Sequence, residues 1–390
     1  MEPLELGGGW YSDDHLEFRE TVRRFVAREI APHVADWDEA GTFPRDLYPK
    51  AAAIGLLGLG FPEEYGGIPG TDVFHRMIAS IELAQCGSGG VLASLMSHTI
   101  SMPPVAALGS AGLKARVLTG VLAGERIAAL AVTEPGGGSD VAALRTRAVR
   151  DGDVYVVDGE KTFITSGLRA DWITVAVRTD PSATGARGIS LLVVPGGAPG
   201  LERTALRKMG WWASDTAHLR FSGCRVPVEY RVGAEGEGFR AVMENFNGER
   251  YSIAASAVGF AWVCYQEALG WARDRRVFGA RLADQQAVRH RLVEMRSRIE
   301  AARALVEDVA HRIHRSPPGD PAMVAAVCIA KNVATRAMQY CADAAVQLQG
   351  GMGYMRGTHA ERIYREVKVN MIGGGAEEIM MDLAARQLGY

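Results

Sequence analysis

The sequence predicts an α+β multidomain chain in three parts: an N-terminal α-helical domain, a middle β-barrel or β-sandwich domain, and a C-terminal four-helix bundle. Three observations predict it. Apolar residues recur at helical spacing through the first third, β-branched runs between turn residues fill the middle, and long helical patterns return from Gly238 onward. The boundaries fall at 1–128, 129–232 and 233–390. A chain of 390 residues suits two or three domains at roughly 100–200 residues each.

In the N-terminal part, Ser12-Asp13-Asp14 offers a helix cap, and Phe18, Val22, Phe25, Val26 and Ile30 follow at helical spacing. Residues 41–44 break the pattern, a second helical run covers 47–57, and helical patterns resume over 73–86 and 91–122 with Pro103-Pro104 as a break. In the middle part, Val154-Tyr155-Val156-Val157 lies between Asp151-Gly152 and Asp158-Gly159 and reads as a strand. Residues 172–177, 189–195 and 218–221 read the same way, and such short strands favour antiparallel pairing. The last part carries helical patterns over 239–273, 287–313, 321–347 and 376–388.

Composition narrows the function. Hydrophobic residues make up 48% and charged residues 23%, the balance of an ordinary globular chain. The net charge of −2, from 43 basic and 45 acidic residues, lacks the basic excess of a nucleic-acid-binding surface. The longest apolar stretch, 51–61, falls short of the roughly 20 residues that a membrane span needs. The acidic opening Glu2-Pro3-Leu4-Glu5 shows no basic-then-apolar leader, and the 5 cysteines never form C-x-x-C, so reduced thiols in a cytoplasmic protein are expected. No Rossmann, P-loop, zincin or nucleophile-elbow motif occurs. His311 and His314 share a helix face without a third ligand in the pattern, which reads as a solvated basic face and no metal.

Two fragments could carry chemistry. Thr133-Glu134-Pro135-Gly136-Gly137-Gly138-Ser139-Asp140 opens the β domain. Its glycines let backbone N–H groups approach a bound group and its hydroxyls add donors, so it reads as an anion- or heterocycle-binding loop or as a plain turn. Lys161-Thr162-Phe163-Ile164-Thr165 places Phe163 and Thr165 on one strand face. A flat ring cofactor would suit that pair; a β-core Phe beside a surface Thr is the simpler reading.

Taken in order, these and later fragments resemble the acyl-CoA dehydrogenase flavoprotein family over essentially the whole chain. The later ones are Lys208-Met209-Gly210-Trp211 leading to Ala213-Ser214-Asp215-Thr216, then Arg225-Val226-Pro227 and Glu249-Arg250. Arg275-Arg276-Val277-Phe278-Gly279 with Gln286 follows, and Gln347-Leu348-Gln349-Gly350-Gly351-Met352-Gly353-Tyr354 with Arg356 closes the set.

The resemblance implies FAD between the β domain and the bundle. Leu130, Ala131, Val132, Thr133, Gly138 and Ser139 would line the flavin, with Phe163, Ile164 and Thr165 near its ring. Arg275, Phe278, Gln285 and Gln286, and the run Gln347, Leu348, Gln349, Gly350 and Gly351, match positions that hold the FAD of a neighbouring subunit. A homotetramer and an electron-transfer flavoprotein as acceptor follow from the same resemblance. Ser139, Asn247, Arg250, Gly374 and Gly375 match substrate-contacting positions, and Ala376 and Glu378 flavin-contacting ones.

The implied reaction is α,β-dehydrogenation of an acyl-CoA to a trans-2-enoyl-CoA, which needs a base for the α-proton. Many relatives carry a late Glu for this; the matching position here is Gly374, which keeps only its backbone N–H, and the neighbouring Thr position is Ala376. Glu249 stands where isovaleryl-CoA and long-chain acyl-CoA dehydrogenases place their base, and is the expected catalytic residue. Glu377 and Glu378 read as helix N-terminal residues favoured by the dipole. The glycines around 374 predict room for a long or branched acyl chain. The alternatives are a non-catalytic or partner-dependent acyl-CoA/FAD-binding subunit, an acyl-carrier-protein-linked dehydrogenase, or a flavin oxidase of the same fold.

Overall fold

A computed structural model describes residues 2–7, 9–183, 185–317 and 319–390. The first helix, Asp13–Phe25, starts at Ser12, whose hydroxyl caps His15 N–H while the His15 ring reaches back to the Ser12 N–H. The helical pattern of 91–122 resolves into four pieces, Gly89–Leu95, His98–Ser101, Pro103–Leu108 and Ala111–Leu122. Pro103 begins a helix, where its missing N–H costs nothing.

The middle part is one sheet of eight strands. They are β1 (Ala128–Ala131), β2 (Arg147–Asp151), β3 (Val154–Thr165), β4 (Trp172–Arg178), β5 (Ile189–Pro195), β6 (Leu201–Ala205), β7 (Thr216–Pro227) and β8 (Arg231–Val232). The order is β6-β7-β3-β2-β4-β5-β8, with β1 on the side of β4. Two expectations need correction. β3 and β7 run for 12 residues each, because β-bulges let one strand bend onward past Asp158-Gly159. Pairing is not purely antiparallel either: β1 runs parallel to β4 from Ala128↔Trp172 to Ala131↔Val175.

The C-terminal part packs Gly238–Asp274, Gln286–Arg315, Pro321–Gln349 and His359–Ile372 side by side, with Glu377–Leu388 against Pro321–Gln349. The His359–Ile372 helix is absent from the sequence reading; its buried face alternates apolar Ile363 and Val367 with charged Arg362 and Glu366. One apolar core joins the Val73–Ala84 helix to the bundle, and a second joins the N-terminal helices to the sheet. Glu366 links all three parts, accepting from Gly89 N–H at 2.7 Å and Trp211 N–H at 3.2 Å. Burial pushes its carboxyl up to about 7, against the pull of the Gly89 N–H.

His314 is exposed, as a solvated face implies, with its Nδ1 3.7 Å from Asp72. Asp72 also meets His15 and His75, a trio with ligand atoms within 4.8 Å of one another. Its carboxylate caps the Val73–Ala84 helix through the N–H groups of Phe74 and His75, so the trio is a cap network. All five cysteines are buried free thiols, and no described helix is long and apolar enough to cross a membrane.

Candidate active site

β1 carries the chain into the glycine-rich loop, and β3 meets it edge on: Thr162 N–H donates to the Thr133 carbonyl at 2.9 Å. Lys161, fully buried, donates to the Val132 carbonyl at 2.9 Å and to Glu134 at 2.8 Å. Burial pushes the Lys161 ammonium down to about 8, against the pull of Glu134. Glu134 also accepts from the N–H groups of Arg145 at 2.7 Å and Thr146 at 2.8 Å. Burial opposes the Glu134 charge, but Lys161 and these donors outweigh it and hold the carboxyl below its ordinary value. The loop is thereby fastened to the sheet on its inner side.

Phe163 corrects the simpler reading of its strand. It is not a core residue: it sits in the bulge between Lys161 and Ile164, at φ +61°, and is 69% exposed. A bulge re-aims one side chain at the cost of a strained backbone, and here it sends an aromatic ring outward. Among the described residues, the hydroxyls of Thr133, Ser139 and Thr165 have no hydrogen-bond partner, and Gly136 leaves the loop open on its side. An exposed aromatic, unpartnered hydroxyls and an open glycine backbone fit a flat heterocycle with polar edges, as a flavin has. Leu130, Ala131, Val132 and Ile164 are buried behind this wall.

The second part of the site lies on the Gly238–Asp274 helix. An ideal side chain starting at Gly374 would have its Cβ 3.9 Å from Glu249 Cδ, 3.5 Å from Arg250 Cγ and 3.2 Å from Ile253 Cδ1. Glu249 thus reaches the very place from which a residue at 374 would act. Glu249 as a whole is half-buried. Burial raises its carboxyl from 4.5 to about 7, while Arg250 and Lys331 pull the other way. Arg250 donates from Nε to the Gly374 carbonyl at 2.8 Å and from Nη1 to Asn247 Oδ1 at 3.1 Å. Asn247, Glu249, Arg250 and Gly374 therefore converge. A side chain at 374 would also press on Ile253, one helical turn beyond Glu249.

The remaining expected residues lie elsewhere on the chain. Arg275, Phe278, Gln285 and Gln286 are exposed around a small hairpin of Arg276–Val277 and Ala280–Arg281, with Phe278 at φ +49°. Gln347, Gly350 and Gly351 are exposed at the end of the Pro321–Gln349 helix, while Leu348 is half-buried and Gln349 buried. None of these residues hydrogen-bonds to the 130–139 loop or to Phe163–Thr165 among the described residues. Ala376 caps the last helix, and Glu378 is exposed in its first turn, where the helix dipole favours it. Sequence reasoning missed Lys331 and Asn332. Their signal was a Lys-Asn pair inside the otherwise small and apolar run from Ala325 to Ala334, on a face that the bundle buries.

Comparisons with known proteins place the chain in a family. The chain matches the acyl-CoA dehydrogenase N-terminal domain over residues 12–125, the middle domain over 129–224 and the C-terminal domain over 236–389. It is 37% identical over 380 residues to the long-chain specific mitochondrial acyl-CoA dehydrogenase of Sus scrofa, covering 97% of this chain and 87% of that protein. A structure described as a probable acyl-CoA dehydrogenase of Mycobacterium abscessus superposes with a TM-score of 0.93 at 45% identity, covering 98% of this chain and 100% of the other. A glutaryl-CoA dehydrogenase of Mycobacterium smegmatis in complex with FADH2 superposes at 0.90 with 27% identity, covering 97% and 95% of the two chains.

Proposed function

The chain belongs to the acyl-CoA dehydrogenase family, and from that premise we propose that it dehydrogenates an acyl-CoA thioester at Cα–Cβ with Glu249 as the base. The product is a trans-2-enoyl-CoA. One observation carries the assignment of the base: Glu249 Cδ lies 3.9 Å from the origin of any side chain at Gly374, which itself offers none. Desolvation lifts the Glu249 carboxyl to about 7, which gives the carboxylate the proton affinity that abstraction of a weakly acidic α-proton requires.

The Gly374 N–H has no acceptor among the described residues and would donate to the thioester carbonyl, stabilising charge that grows on its oxygen. Arg250, buried to 6% exposure, holds the Gly374 carbonyl and Asn247 and so orients the groups around the acyl chain. FAD would lie along Leu130–Thr133, Gly138–Ser139 and Phe163–Thr165, where, when bound, it supplies the two-electron acceptor that takes the β-hydrogen as hydride. The exposed Arg275, Phe278, Gln285 and Gln286 and the helix end at 347–351 would cover the FAD of a neighbouring subunit, in a homotetramer that passes its electrons to an electron-transfer flavoprotein.

The test is anaerobic mixing of the yellow protein with a panel of acyl-CoAs varied in length and branching, scored by loss of flavin absorbance. Bleaching by at least one of them, abolished in Glu249→Gln with flavin content intact, is the expected result. Bleaching at the wild-type rate in that variant overturns the assignment, and a flavin that no acyl-CoA reduces overturns the function. Arg275→Ala should lose FAD on dialysis where Glu249→Gln keeps it.

A further inference from the structure

Residues 371–376 form a turn with three consecutive glycines, which have the least backbone stiffness available. Such a turn holds one shape only if its peptide units are fastened from outside. Lys331, with no exposed side chain, donates from Nζ to the Met371 carbonyl at 3.1 Å and to the Gly375 carbonyl at 2.8 Å. The Gly373 N–H is held by the Val369 carbonyl at 2.7 Å, and the Gly374 carbonyl by Arg250 at 2.8 Å. Immediately beyond, Asn332 donates to the Glu377 carbonyl at 2.9 Å. Among the described residues, the Gly373–Gly374 peptide is the one unit of this turn with neither its carbonyl nor its N–H engaged. Its N–H is Gly374's. Every neighbouring plane is pinned.

We propose that Lys331 is a positioning residue of the dehydrogenation: by clamping the carbonyls on either side of Gly374 it fixes the Gly374 N–H to receive the thioester carbonyl, and it sets a cation beside Glu249. This rests on the reading of Glu249 as base. A buried ammonium is costly unless its donors are used, and a lysine inside a helix bundle has no packing reason to be preferred over methionine. Burial pushes its ammonium down to about 8, and Glu249 works against that fall. The charged or titratable groups that face Lys331 are Glu249 and Arg250 on the Gly238–Asp274 helix, Cys328 on its own helix, and Glu377 on the last helix. Those that face Glu249 are Arg250 and Lys331.

Lys331→Met keeps the length and removes both donors and charge. The measurement is the anaerobic rate of flavin reduction by a substrate acyl-CoA across pH, with the substrate's dissociation constant taken from the same titration. The expected result is flavin retained, a reduction rate lowered about tenfold or more, as for loss of one preorganised donor, and a larger effect on rate than on binding. The pH midpoint moves upward, because Glu249 loses a neighbouring cation. Lys331→Arg, which keeps charge and donors, recovers rate and midpoint at least in part. Should Lys331→Met fail to fold, Lys331→Gln, with two amide donors and no charge, takes its place: the midpoint should still move upward while the rate falls less. A wild-type rate and midpoint in either neutral variant overturns this proposal alone. Full reduction in Glu249→Gln, run alongside, overturns the reading beneath it.

Discussion

Arg250 Nε donates to the Gly374 carbonyl at 2.8 Å, so the residue next to the proposed base holds the turn that the base faces. The same guanidinium reaches Asn247 Oδ1 at 3.1 Å. A planar fork can serve two acceptors at once in fixed directions, and an ammonium in its place serves them less well. Arg250→Lys is therefore expected to leave one buried acceptor unpaired, at about 1–3 kcal/mol. The predicted outcome is a fall in the rate of flavin reduction by about tenfold or more with FAD still bound. Equal rates in rapid mixing would show that the turn holds its shape without the fork.

The proposed base sets the pH dependence. With the Glu249 carboxyl at about 7, the rate should rise through neutral pH with a single-proton slope and level off above it. Stability runs the other way. The folded value lies above the ordinary 4.5, so between those pH values the folded state binds more protons than the unfolded chain. The stability linked to this group is fully present below 4.5 and is lost as pH rises through 7, by about 1–3 kcal/mol. Glu249→Gln should thus melt higher than the wild type at pH 8 and alike near pH 4. Glu366, raised to about 7 by burial, contributes the same trend to both proteins and cancels in the difference.

Because Glu249 and a side chain at 374 would converge on one spot, the base should be movable. Gly374→Glu in the Glu249→Gln background is expected to recover about tenfold of a loss that should itself be about 10²–10⁴. Recovery stays partial for two reasons on the chain. Gly374 has φ +68°, which costs a side-chain-bearing residue about 1–2 kcal/mol, and the new Cβ would lie 3.2 Å from Ile253 Cδ1. Adding Ile253→Val should raise the recovered rate. A double variant no faster than Glu249→Gln alone would mean that the two origins do not serve the same proton.

The sequence made the long periodic elements legible, because burial of one face leaves a repeating trace: from Gly238 onward the helices Gly238–Asp274, Gln286–Arg315, Pro321–Gln349 and Glu377–Leu388 lie within a few residues of their patterns, while His359–Ile372, whose buried face mixes charge with apolar residues, left none. Phe163 was legible as an aromatic in a strand but not as an exposed one, since a bulge is a backbone event and leaves the residue order unchanged. Glu249 was reached only through the glycine at 374, by way of resemblance; nothing local distinguishes it from any Glu-Arg pair. Lys331 stood out only as a charge in an apolar helix, and its role was hidden for a different reason. Its partners, Met371 and Gly375, are 40 and 44 residues away, and backbone carbonyls carry no sequence signature.

The same blindness hid the role of Lys161, whose burial makes the last prediction. Lys161 joins the Val132 carbonyl and Glu134 beneath the glycine loop, and its side chain has no exposure, while that of Glu134 has 10%. Removing one partner of such a pair strands the other, which costs about 3–5 kcal/mol in a fully buried setting. Glu134 would keep the Arg145 and Thr146 N–H groups, so the loss in Lys161→Met should fall at the lower end. Glu134→Gln should cost less still, because Lys161 can shed its proton from a value already near 8. The double variant should then lose less than the sum of the singles, since neither leaves a bare charge behind. Melting temperature gives the coupling. Flavin content after dialysis shows whether the loop opens: Lys161→Met should release flavin more readily than Glu134→Gln. Strictly additive losses would mean that the ammonium serves the Val132 carbonyl alone.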